Sequence, residues 1–168
     1  MRHGVVALAL LALWGSTARA DAVTDCNQNK DVDRAIRGCT ALIRQNPTNS
    51  PAFFLRAGRH MDKGDFYNAI ADYNKVVGFN PKDANMYQSR GVAHLANGNF
   101  DKAIEDYTRA IVLNPDDPIR YLAYAGRGRA YEDKGRKDRA IEDFRRALSM
   151  QPDSQDAKDG LRRLGASP

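Results

Sequence analysis

The sequence predicts an all-α fold of stacked antiparallel helix hairpins, and three observations predict it. Asn46-Pro47, Asn80-Pro81, Asn114-Pro115 and Gln151-Pro152 punctuate the chain at intervals of 34, 34 and 37 residues. Aligned on those prolines, Ala69-Ile70, Ala103-Ile104 and Ala140-Ile141 share one column, and Ala35-Ile36 joins it ahead of the first proline. Within each unit, apolar and small residues recur at spacings of three and four, the signature of one helix face. A hairpin of two such helices cannot bury its apolar face alone, so the units must stack.

The chain opens on a segment that does not belong to the array. Gly4 to Gly15 carries no charge and follows Arg2, and Ala18-Arg19-Ala20 supplies a small-x-small site. Residues 1–20 therefore read as a secretory signal peptide cut before Asp21. Its apolar core of about a dozen residues falls short of the roughly 20 that span a bilayer, so no transmembrane segment is expected after cleavage. Val23-Thr24-Asp25 ahead of Cys26 lacks the small apolar residues of a lipoprotein site. The mature protein is expected to be periplasmic or secreted.

Cleavage lowers the formal charge from +5 to +3, too mild a bias to point to nucleic acid. The excess is local. Residues 120–152 hold nine Lys and Arg against five acids, whereas residues 21–119 hold twelve against thirteen. An anionic surface would be met near the C-terminal end.

The elements follow in order. Residues 21–48 form a truncated N-terminal hairpin whose first helix, near 22–28, has about two turns. Full hairpins are expected over 49–82, 83–116 and 117–152. Their first helices carry Phe53, Ala57, His60 or Tyr87, Gly91, His94 on one face. Their second helices carry Ala69, Ile70, Tyr73, Val76, Val77 or Ala103, Ile104, Tyr107, Ala110, Ile111. Gly64, Gly98 and Gly135 suit the left-handed position that ends a first helix, and Asp65 or Asn99 suits the cap of the second. The 117–152 unit has three extra residues, and Asp116-Asp117-Pro118 predicts a first helix that starts about one turn early. Residues 153–168 supply a polar capping helix with Leu161 and Leu164 on one face.

These columns resemble the tetratricopeptide pattern W-x2-L-G-x2-Y, A-x3-F, P at its period of 34. Tyr87-x2-Arg90-Gly91-x2-His94, Ala103-x3-Tyr107 and Pro115 match one unit. Tyr124-x2-Arg127-Gly128-x2-Tyr131, Ala140-x3-Phe144 and Pro152 match another, and Phe53 to Pro81 makes a third with Ala57 in place of the glycine. The resemblance, to an exported bacterial type, implies a right-handed superhelix and a scaffold that binds a protein or peptide segment, serving an envelope or secretion assembly.

It also implies a concave groove lined by first helices. Residue by residue, that lining is Phe54, Leu55 and Met61, then Gln88, Ser89, Val92 and Leu95, then Ala125, Arg129, Glu132 and Asp133. Chaperone-binding members of the family clamp a C-terminal carboxylate with Lys and Asn. Phe54, Gln88 and Arg129 do not reproduce that set, so that ligand is not expected here. For Phe54 and Leu55 the alternative is inter-helix packing. A rival function is contact with an anionic lipid or polysaccharide surface through Arg136, Lys137, Arg139, Arg145 and Arg146.

Catalytic chemistry finds little support. No phosphate loop, nucleophile elbow or zinc-protease helix occurs. Glu105-Asp106 and Glu142-Asp143 recur in repeat phase, which points to a solvated or salt-bridged face. His60 and His94 occupy equivalent places with no further in-phase ligand, so they are read as packing residues, and no metal or cofactor is expected. Arg56, Arg90 and Arg127 stand where the family carries leucine, and Asp72, Asp106 and Asp143 share their phase. They are expected to pair between helices, the alternative being an anion-binding ridge. Cys26 and Cys39 take the places of His60 and Tyr73, columns that face each other across a hairpin. With an exported compartment, that phase predicts a disulfide. Two buried thiols are the alternative, and a metal site lacks further ligands.

Overall fold

The computed structural model describes residues 18–167, and the expected signal-peptide core, Gly4 to Gly15, lies outside the described residues. The described residues contain nine α-helices and no strand. We number them α1 (18–27), α2 (Val32–Gln45), α3 (Ser50–Asp62), α4 (Phe66–Phe79), α5 (Ala84–Ala96), α6 (Phe100–Leu113), α7 (Tyr121–Asp133), α8 (Lys137–Met150) and α9 (Gln155–Arg163). Among the described residues no helix is long and apolar enough to cross a membrane. The helices belong to two compact units that divide between Phe79 and Asn80.

Helix ends follow the local chemistry. Gly64, Gly98 and Gly135 have φ of 72°, 74° and 72°, a region open to glycine at no steric cost. At each, the amide of the residue after the glycine returns to the carbonyl five residues back: Asp65 to His60, Asn99 to His94 and Arg136 to Tyr131. Gly165, at φ 68°, ends α9 in the same way, with Ala166 donating to Leu161. Asp31, Asn49 and Asp83 accept amide hydrogen bonds at the starts of α2, α3 and α5, and Asp65 accepts one from Asn68. Asn99 departs from expectation. Its side chain makes no cap bond and lies 3.5 Å from the His94 ring instead.

Helical structure before α7 does begin about one turn early, at Pro118, but Pro118–Arg120 form a 3-10 turn that runs directly into α7 rather than a turn of α-helix. Arg120 donates its amide to the Asp117 carbonyl, and the Asn114 amide side chain bonds the Asp117 carboxylate. Proline at the start fits this tighter turn because it needs no amide donor.

In the first unit, α2 packs on α3 and α3 on α4. Its core holds Ala35, Ala52, Phe53, Ala57, Ala69, Tyr73, Val76 and Val77. The Cys26–Cys39 disulfide joins α1 to α2 with Cα atoms 4.6 Å apart, and both cysteines are fully buried. The approach is close because Gly38 has no side chain. A Cβ there would lie 2.6 Å from the Cys26 amide nitrogen and from the Asp25 Cβ.

In the second unit, α5 through α9 stack in chain order, with α5 also touching α7 and α7 touching α9. Its core falls around two aromatic residues. Tyr107 packs with Ala103, Ala110, Ala123 and Ala130, and Phe144 with Ala125, Ala140, Ala147, Ala157 and Leu161.

Each of the three full hairpins is tied by a bidentate ion pair. Arg56 donates to Asp72 at 2.8 and 2.8 Å, Arg90 to Asp106 at 2.8 and 2.7 Å, and Arg127 to Asp143 at 2.8 and 2.8 Å. Arg56 also donates to Thr40 on α2, and Arg127 to Thr108 on α6, so these arginines join a hairpin to the helix before it. The Asp106 bond raises the Arg90 pKa. At Arg127 burial is the largest single influence and works against the charge, but the hydrogen bond and charge of Asp143, with Tyr131 and Tyr124, together outweigh it and the pKa rises.

Candidate binding groove

A concavity of about 360 Å³ opens in the second unit. Its first wall is the exposed side of α5, where Gln88, Val92 and Leu95 follow one another at helical spacing. Leu122, Ala125, Gly126 and Arg129 of α7 form the facing wall, and Asp156, Asp159 and Arg163 of α9 close the end. Tyr107 and Phe144 form the floor.

The floor exists because glycine stands over each ring. A Cβ at Gly126 would lie 2.5 Å from Tyr107, and one at Gly160 would lie 2.4 Å from Phe144. Helices α7 and α9 therefore settle close over the aromatic side chains of α6 and α8. Burial pushes the Tyr107 phenol well above its ordinary pKa, which keeps that ring neutral.

Two apolar side chains at this site face water. Val92 is 45% exposed and Leu122 38% exposed, although both belong to helices that bury their opposite faces. Charge surrounds them. Arg163 grips Glu132 through two bonds of 2.7 and 2.8 Å, which lowers the Glu132 pKa and raises that of Arg163. Arg129 lies 3.3 Å from Asp133 and 3.9 Å from Glu132. Asp159 is bonded by Gln155 and paired with Arg162.

Of the residues the sequence suggested for a groove, Gln88, Val92, Leu95, Ala125 and Arg129 line this concavity. Glu132 and Asp133 lie behind it as partners of its arginines, and Ser89 is half-buried outside it. Phe54, Leu55 and Met61 belong to the first unit and are half-buried, with Phe54 edge-on to Tyr73 at 5.7 Å. Sequence reasoning missed Leu122, the aromatic floor and the whole contribution of α9. The signal was present in Gly126 and Gly160, which are 34 residues apart and both stand over a buried ring.

The remaining candidates are placed as follows. Arg136, Lys137, Arg139, Arg145 and Arg146 are all exposed, and Arg139 sits 3.5 Å from Glu142. His94 is 5% exposed, 3.9 Å from Asp106, and burial lowers its pKa. His60 lies 3.1 Å from Asp65. Among the described residues no group of three His, Cys, Asp or Glu is arranged to hold a metal ion.

Residues 54–118 and 89–157 each match the family profile of the tetratricopeptide repeat. The chain belongs to the tetratricopeptide repeat family. Solved structures agree with the fold. The OM64 TPR domain of Arabidopsis is 28% identical, with 69% of this chain and 93% of that one covered and a TM-score of 0.64. MamA is 27% identical over 80% of each chain, with a TM-score of 0.71. The second TPR domain of human RPAP3, solved in complex with an HSP70 peptide, is 26% identical over 67% of this chain and 91% of that one, with a TM-score of 0.60. No curated protein sequence matches significantly.

Proposed function

We propose that this chain is an exported, non-enzymatic tetratricopeptide scaffold that receives a segment of a partner protein in the groove between α5, α7 and α9, in service of an envelope or secretion assembly. The observation that carries the reading is the pair Val92 and Leu122, exposed on α5 and α7 in one concavity that Tyr107 and Phe144 also line. Apolar side chains gathered in a groove with a polar rim suit a buried contact at the centre of an interface. The human RPAP3 domain, which holds a peptide, supports the same use of the fold.

Export rests on residues 1–20 and is supported by the Cys26–Cys39 disulfide, a bond that persists in oxidising compartments. In a Gram-negative host, the protein recovered from the periplasm should begin at Asp21. Recovery only from the cytosol with Met1 intact would overturn export. For the groove, Val92→Asp and Leu122→Glu should each abolish partner capture while helicity and melting stay unchanged, because both side chains already face water. Capture that survives both variants would place the interface elsewhere.

A second reading has its own observation. Arg136, Lys137, Arg145 and Arg146 are exposed with no carboxylate of the described residues within ion-pair distance. Such a face suits an anionic lipid or polysaccharide. Binding to anionic vesicles that falls steeply between low and physiological salt supports it, and salt-independent binding counts against it.

A further inference from the structure

Resting on the groove reading above, we infer that the segment it accepts presents an aliphatic side chain flanked by lysine or arginine, and that acidic segments are rejected. Both arginines that line the groove are engaged from within the protein. Arg163 has two of its donors on Glu132, and Arg129 is held between Asp133 and Glu132. At Arg163 a carboxylate arriving from a partner would have to displace a bidentate pair whose geometry is already satisfied, and at Arg129 it would compete with two carboxylates of the same helix.

The acids are in the opposite state. Asp156 lines the groove, is exposed, and has no cation of the described residues within ion-pair distance. Asp159 lines it too, and its one cationic partner, Arg162, is itself exposed and replaceable. Counting the side chains at this end, Arg129, Arg162 and Arg163 stand against Glu132, Asp133, Asp156 and Asp159. The unspent charge at the groove is therefore negative.

The apolar element supplies the second half of the recognition. Val92 and Leu122 line the same concavity as the Tyr107 and Phe144 rings and are its two water-exposed apolar side chains, so an aliphatic or aromatic side chain of the partner fits there. A cation on a neighbouring turn or residue then meets Asp156 and Asp159. A negative residue there faces the Asp156 and Asp159 carboxylates, and such like-charge juxtaposition selects against the wrong partner.

The test uses the full mature chain and three labelled synthetic peptide pools. Each pool has one central Leu, Ile or Phe, with flanking positions occupied by Lys and Arg, by Gln, or by Glu and Asp. Fluorescence anisotropy at low and physiological salt should rank the cationic pool tightest, at least about tenfold over the acidic pool, which corresponds to about 1.4 kcal/mol. The double variant Asp156→Lys, Asp159→Lys should reverse the ranking, and Leu122→Glu should weaken the neutral pool.

Equal binding of all pools, or a ranking that the lysine variant leaves unchanged, overturns the charge assignment. If Leu122→Glu still weakens the neutral pool in that case, the groove itself stands. Indifference of every pool to Leu122→Glu, or no binding of any pool, overturns the groove reading with it. Circular dichroism and melting of each variant establish that it is folded, and Asp156→Asn is the milder substitute where the lysines disturb α9.

Discussion

Arg127 and Asp143 show what a repeated ion pair contributes at one position. Their side chains are 18% and 6% exposed, so each charge is largely withdrawn from water and depends on the other. Asp143→Ala leaves the guanidinium uncompensated and should cost about 3–5 kcal/mol. Reversing the pair, Arg127→Asp with Asp143→Arg, should recover part of that loss in a double-mutant cycle followed by urea denaturation. Strictly additive losses would show that the two residues do not act as a pair. His94 offers a test by pH. Burial lowers its folded pKa, with Asp106 and Glu105 opposing the shift and Arg90 and Lys102 adding to it. Its stabilising contribution is therefore complete above the unfolded value of about 6.5 and declines as pH falls from there toward the folded value. Melting temperature should drop between pH 7.5 and 5.5, and His94→Tyr, the residue type that the next unit carries at Tyr131, should flatten that drop. An unchanged pH profile in the variant would remove His94 as its cause.

At the scale of the element, repeat phase made much of the structure legible. The left-handed glycines, the arginine–aspartate pairs and the cysteine pair could be read because each recurs, or replaces a recurring residue, at a fixed offset. The first hairpin explains itself by the same phase: Ala22 and Gly38 stand where the next hairpin has Arg56 and Asp72. Without the bulky charged pair α1 and α2 come close enough for the disulfide to take over the fastening. What could not be read was geometry that depends on contact. Asn99 turns from the helix start toward His94, and the three extra residues wind into a 3-10 turn, because a proline and an aspartate are compatible with either helix. Reduction of the disulfide should release α1 selectively. The closed loop of about 14 residues is worth about 3 kcal/mol in the chain-entropy treatment, and α1 is too short to persist alone. Hydrogen exchange should accelerate over residues 21–27 of the mature chain in reductant while α3 and α4 keep their protection. Protection of α1 that survives reduction would mean that packing alone holds it.

Across the whole molecule, the division between Phe79 and Asn80 had no counterpart in the sequence, since Asn80-Pro81 repeats the punctuation of Asn46-Pro47 and Asn114-Pro115. The C-terminal segment was similarly under-read. Its polar composition identified a solvating cap, but the buried side of α9 is a structural wall. Ala157 and Leu161 are fully buried against Phe144, and Arg163 reaches back to Glu132 on α7. In a stacked array stability is close to a sum of neighbour terms, so the last helix should act most strongly on the helices it touches. Those are α7 and α8. Leu161→Ala should lower stability by about 2–5 kcal/mol, the range for deleting a buried leucine side chain. Gly160→Ala should cost about 1–3 kcal/mol by overpacking, because its new methyl would fall 2.4 Å from the Phe144 ring. Deleting residues 154–168 removes Ala157 and Leu161 together and exposes the Phe144 face. Urea denaturation of the three variants should rank the deletion lowest, with hydrogen exchange faster over α7 and α8 first. If the deletion melts like the intact chain, α9 is not the end wall of the fold, and the groove loses the helix that carries Asp156 and Asp159.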